Sequence, residues 1–136
     1  MKENPLIGRT LLSVEIAKDR EALRFVTDAG ELVVCCDADC CSHTWVEGIE
    51  LPRLPAVVVS VRDLEMPTRE DPSKFCEYPE VISFYGCEIL TNRGALVIDY
   101  RNNSNGYYGG SLSWPGDYFY GGVHGQNKSA YEWEPA

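Results

Sequence analysis

Twice along this chain a Thr-(Asp/Asn)-x-Gly tetrapeptide separates two short runs of apolar and β-branched residues: Thr27-Asp28-Ala29-Gly30 and Thr91-Asn92-Arg93-Gly94. Glycine at the fourth position supplies the positive φ of a tight turn, and Asp or Asn can bond the turn's own backbone. Each tetrapeptide therefore predicts a hairpin. The first joins Ala22–Thr27 to Glu31–Cys36, and the second joins Val81–Thr91 to Ala95–Asn102. A further strand-like run precedes each hairpin, Thr10–Ala17 and Ala56–Leu64, the former with Leu12, Val14 and Ile16 on one face. Leu12-Ser13-Val14-Glu15 resembles Val59-Ser60-Val61-Arg62, and Val33-Val34 falls at the same offset from Val97-Ile98 as the two turns do from each other. The expectation is a mainly-β (α+β) fold of two related three-stranded meanders, within residues 10–50 and 56–110. They would pair into one antiparallel sheet or a small sandwich or roll. The other source of the likeness is the small vocabulary shared by all hairpins.

Between and after the meanders the pattern changes. Asp39 can cap a short helix over Ser42–Glu50, with Trp45 and Ile49 at i, i+4, weakened by Gly48 and ended by Pro52. Pro67, Pro72 and Pro79 mark 65–80 as a long loop. The Gly- and aromatic-rich last third predicts ordered turns and short strands, and the tail 126–136 is expected to be less ordered. A length of 136 residues suits one domain spanning 1–136.

The net charge is −9. From Arg24 to Arg53 no Lys or Arg intervenes, while Asp28, Glu31, Asp37, Asp39, Glu47 and Glu50 all fall there. This surface repels phosphate, which disfavours direct nucleic-acid binding and favours a cation or a basic protein partner; the plain alternative is a solvated face that aids solubility. No run reaches the roughly 18 apolar residues of a membrane span, and the start has no apolar stretch suited to a signal peptide. The expected location is the cytoplasm, where the six cysteines would be thiols.

Two segments hold the residue types that chemistry needs. In the first, Cys36, Cys40, Cys41 and His43 offer sulfur and nitrogen ligands at a C-x3-C spacing, so structural zinc is one expectation, although the distant second ligand pair of most zinc sites is missing. Cys35 and Cys36 point to opposite faces of their strand, so at most one faces a given site. A Cys41–His43 thiolate pair is a second possibility, opposed by Asp37 and Asp39, which would raise the thiol pKa. Structural thiols packed at a strand-to-helix junction are the third, and the favoured one over a metal site. Asp37-x-Asp39 lacks the other oxygen ligands of a calcium loop. In the second segment, Arg101 to Gly110, Asn105-Gly106 suits a type I′ turn, and Tyr107 and Tyr108 beside glycines suit a contact surface. Nucleophile elbows, H-E-x-x-H and phosphate-loop motifs are absent, so an enzyme is the minority expectation.

These same segments, Asp37-Ala38-Asp39-Cys40-Cys41-Ser42-His43-Thr44-Trp45 and Arg101-Asn102-Asn103-Ser104-Asn105-Gly106-Tyr107-Tyr108-Gly109-Gly110, resemble those of a family of small uncharacterised phage and bacterial proteins, over roughly residues 6 to 115. The resemblance brings no activity, cofactor or catalytic residue with it. It implies a phage or mobile-element setting, in which small acidic proteins engage host proteins, some as inhibitors of defence nucleases (the anti-CRISPR type). The functional expectation is an acidic, non-enzymatic module that binds a host or phage protein with a basic surface. Its contact residues would come from Asp37, Asp39, Ser42, His43, Trp45, Glu47, Arg101, Asn103, Asn105, Tyr107 and Tyr108. The rival is a metal- or thiol-dependent site at Cys40-Cys41-Ser42-His43.

Overall fold

The computed structural model describes residues 3–38, 42–66, 81–104, 110–115, 118–119, 122–123 and 131–136. Its strands are β1 (Thr10–Ala17), β2 (Ala22–Thr27), β3 (Gly30–Ala38), β4 (His43–Glu50), β5 (Ala56–Glu65), β6 (Val81–Thr91), β7 (Gly94–Ser104), β8 (Gly110–Ser113), β9 (Tyr118–Phe119), β10 (Gly122–Val123) and β11 (Trp133–Pro135). The fold is mainly antiparallel β.

The two tetrapeptide turns are built alike. Thr27 Oγ1 donates to the Gly30 carbonyl (2.7 Å) and accepts from Ala29 N (3.2 Å). Thr91 Oγ1 does the same with Gly94 and Arg93, at 2.6 and 3.1 Å. Gly30 and Gly94 take φ of 111° and 124°, a region that L side chains rarely enter. Each turn also grips the first strand of its own meander. Asp28 Oδ1 accepts from Thr10 N (3.0 Å), and Asn92 Oδ1 accepts from Val57 N (2.9 Å). Thr10 and Val57 in turn pair with each other across the β1–β5 junction.

The principal sheet runs β4-β7-β6-β5-β1-β2-β3-β8. Each meander, β1-β2-β3 and β5-β6-β7, hands its fourth strand to the other: β4 pairs with β7, and β8 pairs with β3. The correspondence extends to register. The β1–β2 ladder shifts between Leu11 and Ser13, and the β5–β6 ladder shifts between Val58 and Ser60. Cross-strand ion pairs also correspond, with the signs exchanged: Glu15 faces Arg24 (2.8 Å), and Arg62 faces Glu88 (2.9 Å).

The stretch 42–50, expected as a helix, is strand β4. In a regular strand Trp45 and Ile49 would share a face, but here Trp45 lies opposite Arg101 and Ile49 opposite Ile98, on opposite faces. The register shift between Val46 and Gly48 then inserts Glu47 as the extra residue of a bulge. The deciding partner is β7, remote in sequence, against which Thr44, Trp45 and Val46 are all buried. Residues 133–135 of the tail also form a strand, β11, which pairs with Glu15–Ala17 of β1.

Arg20, at the β1–β2 turn with φ of 64°, ties β4 to the first meander. Its Nε donates to the Val46 carbonyl (2.6 Å) and its Nη2 to the Glu47 carbonyl (2.9 Å), while its own carbonyl accepts from Val46 N (2.8 Å). The sheet thereby rolls, and one cluster of buried side chains fills it. Val14, Ile16, Leu23, Phe25 and Val34 of the first half meet Val46, Val58, Ile89, Leu96 and Ile98. Phe25 stacks on Trp114 at 5.9 Å. Burying each such side chain stabilises by about 1.5–3 kcal/mol.

Arg20→Ala should lower the stability of the fold by about 2–3 kcal/mol in urea unfolding, since two charge-assisted bonds to β4 carbonyls are lost. Arg20→Gly should lose about 1 kcal/mol less, because glycine accepts the positive φ. Equal losses would mean that the backbone there is unstrained.

Candidate functional site

The two sequence segments singled out above meet at the crossover end of the roll. Strand β3 leaves the sheet at Ala38, paired with Gly110, and β4 enters at His43, paired with Asn103. Thr44 and Gly110 hold corresponding places, one opposite Asn102 and the other opposite Ala38. They also touch: a Cβ on Gly110 would run into the Thr44 side chain, so only glycine lets β8 pass this close. Asn102, fully buried, donates from Nδ2 to Thr44 Oγ1 (2.9 Å), while its Oδ1 has no hydrogen-bond partner among the described residues. An unsatisfied buried acceptor costs about 1–3 kcal/mol.

Exposed charge surrounds this junction. His43 Nε2 lies 3.6 Å from Glu21 Oε1, and its ring stacks on Trp45 at 5.3 Å. The Asp19 carboxylate accepts from Glu21 N (2.9 Å). The His43 imidazole beside it holds the Glu21 carboxyl below its ordinary range, and Glu21, with the nearby charge of Asp19, raises the imidazole. Asp37, Ser42 and Asn103 are half-buried at the same end.

Trp45, Glu47 and Arg101 form an internal network instead of an exposed contact surface. Trp45 is 1% exposed and Arg101 5%. Trp45 Nε1 donates to Glu47 Oε1 (3.0 Å), Glu47 lies 3.9 Å from the Arg101 guanidinium, and Arg101 pairs with Asp99 (3.1 Å) beneath the Phe84 ring. Breaking such a buried pair leaves a stranded charge, which costs about 3–5 kcal/mol. These side chains fix the β4–β7 pairing. Asp39, Cys40, Cys41, Asn105, Tyr107 and Tyr108 lie outside the described residues.

A family model for a domain of unknown function matches residues 4–114, from the approach to β1 to the end of β8. The chain belongs to the DUF7448 family. No curated protein and no solved structure matches it. The DUF7448 match holds both meanders, both exchanged strands and both crossover segments; β11 lies outside it.

Within the DUF7448 domain the described thiols behave as packing groups. Cys36 sits against the core, its thiol facing the Arg20 carbonyl at 3.9 Å, and burial pushes its pKa up, with Glu21 adding to the effect. Cys87 is buried, and burial, assisted by Asp63 and Glu88, pushes its thiol up to about 12. Cys35 is on the opposite face of β3, close to Tyr131. Among the described residues no three His, Cys, Asp or Glu side chains come together as a metal-binding group. Cys36 packs against the core, and His43 stands half-exposed beside Glu21.

Sequence reasoning passed over Thr44, Asn102, Arg20 and Glu21. Thr44, Asn102 and Gly110 carried a local signal, by lying inside the two marked segments. Arg20 and Glu21 belong to a polar turn that the chain path brings to β4.

His43, raised above its ordinary 6.5, contributes stability that is complete below that value and fades as pH rises through its folded pKa. Glu21, depressed below 4.5, contributes stability present above that value and lost as pH falls through its folded pKa. The pair therefore acts most strongly between about 4.5 and 6.5. In NMR titration the His43 pKa should lie above 6.5 and return toward it in Glu21→Gln; an unmoved pKa would remove the pairing. Cys36 and Cys87 should resist alkylation in the folded protein and react on unfolding; rapid native labelling of either would contradict their burial.

Proposed function

We propose that this protein is a non-enzymatic module that engages another protein through the crossover end of the roll. The observation that carries the reading is the meeting of both marked segments beside an exposed acidic group, Asp19 and Glu21, that holds His43. Loops set at the ends of a rigid sheet commonly serve as contact surfaces, and an acidic patch speeds encounter with a basic partner. In its sharper form the module is phage-encoded, acts in the cytoplasm, and inhibits a nucleic-acid-binding host defence protein by occupying its basic surface. An acidic surface fits that role better than direct nucleic-acid binding. No helix among the described residues is long and apolar enough to cross a membrane.

Capture of a partner from host lysate on immobilised protein, followed by affinity measurement with that partner, tests the reading. Asp19→Lys with Asp39→Lys should weaken binding about tenfold at low salt, and the difference should shrink as salt screens it. Glu47 is unsuited to charge reversal, since its carboxylate holds Trp45 and Arg101. Unchanged affinity would remove the electrostatic reading, and about one equivalent of zinc in protein purified without chelator would move the function to the cysteine segment.

A further inference from the structure

The two halves differ at one edge. Along β1, the side away from β2 pairs with β5 at Thr10 and Leu11, and with β11 at Glu15–Ala17. Along β5, the side away from β6 pairs with β1 at Ala56 and Val57. The corresponding later stretch, Arg62–Glu65, has no strand beside it among the described residues. Register makes the correspondence specific. Counting from the matching bulges at Ser13 and Ser60, Val14 answers to Val61, Ile16 to Asp63 and Lys18 to Glu65.

On β1 these three positions hold β11. Ala136 N donates to the Val14 carbonyl (3.1 Å), Ile16 pairs with Glu134, and Lys18 N donates to the Glu132 carbonyl (2.9 Å). On β5, therefore, the Val61 carbonyl, both backbone groups of Asp63 and the Glu65 amide face outward. Such an edge is a template for an added strand unless something covers it. An open cleft of about 300 Å³ runs beside it, lined by Val61, Asp63, Tyr100, Leu112 and Trp114 among others.

The charges identify the guest. Where β1 presents Lys18 to the Glu132 carboxylate at 3.7 Å, β5 presents Glu65, and the place of apolar Ile16 is taken by exposed Asp63. A strand seated on β5 as β11 is seated on β1 would set its side chains directly beside these two acids. We propose that the Val61–Glu65 edge of β5 is a docking site for an extended segment of a partner protein. The segment adds as an antiparallel strand, with Lys or Arg opposite Asp63 and Glu65 and a small apolar residue opposite Val61 at the cleft, as Ala136 packs beside Val14. This surface lies on β5, away from His43 and Glu21, and the inference stands whether or not the crossover end binds a protein.

The probe is a synthetic peptide of residues 129–136 carrying E132K and E134R, titrated into the full-length ¹⁵N-labelled protein beside the unsubstituted peptide. The substituted peptide should bind about five- to tenfold more tightly and shift the amides of Val61–Glu65, with the advantage shrinking in salt. In the D63K/E65K protein the preference should reverse. If that variant does not fold, the preference and shift map of the unaltered protein decide alone. Equal affinity for the two peptides would overturn the proposal. So would shifts confined to Glu15–Lys18, or amides of Asp63 and Glu65 already protected from hydrogen exchange before peptide is added, which would mean that the chain covers this edge itself. Loss of partner capture in the Asp19 and Asp39 variant with an unchanged peptide response separates failure of one surface from failure of the other.

Discussion

Each meander ends in a strand that it cannot keep. A three-stranded antiparallel sheet has two unpaired edges, and here β3 and β7 each satisfy one with the fourth strand of the other half. That exchange forces the sheet to roll, because β4 and β8 lie at opposite ends of the strand order yet come into contact at Thr44 and Gly110. It also explains why buried polar groups concentrate there. Asn102, Thr44 and the Trp45–Glu47–Arg101–Asp99 network add polar partners to the register of β4 on β7 that the buried face already imposes. Arg20 completes the lock with a guanidinium fork that reaches the carbonyls on both sides of the β4 bulge.

The correspondence of the halves is close in backbone and loose in side chains, and the differences carry the interest. Turn bonds, bulges and exchanged strands recur. Glu15–Arg24 becomes Arg62–Glu88, Ile16 becomes Asp63, and Lys18 becomes Glu65. A backbone ladder depends little on the sign of the charges it carries, but an added strand does. One half accepts the acidic β11, outside the segment that matches DUF7448, and the other presents acids beside a cleft.

The same division separates framework from surface among the residues that first drew notice. Trp45, Glu47 and Arg101 are framework: Trp45 Nε1 and the Arg101 guanidinium meet the Glu47 carboxylate, Arg101 also pairs with Asp99, and the Trp45 ring is buried. His43, with Glu21 and Asp19, remains at the surface, a titrating group held by acids at the mouth of the crossover. Cys36 and Cys87 serve as small apolar groups whose thiols burial keeps protonated.

Local chemistry determined a large part of this molecule. Alternating β-branched runs and Thr-(Asp/Asn)-x-Gly turns set β1, β2 and β6 at the bounds expected of them and β3, β5 and β7 to within a few residues, because a hairpin's signals lie within its own dozen residues. They could not determine β4, since Trp45 and Ile49 at i, i+4 suit one face of a helix, and only pairing with β7 sets the bulge at Glu47 that turns them to opposite faces of a strand. Nor could they show that the strand at the tail docks on β1, or that Trp45 and Arg101 are buried. Those outcomes depend on contacts between residues far apart in the chain, whose free energy exists only once the sheet has rolled. The acidic, mainly-β character was written in the residues; which acids hold the structure and which stay at the surface was decided by the exchange of strands.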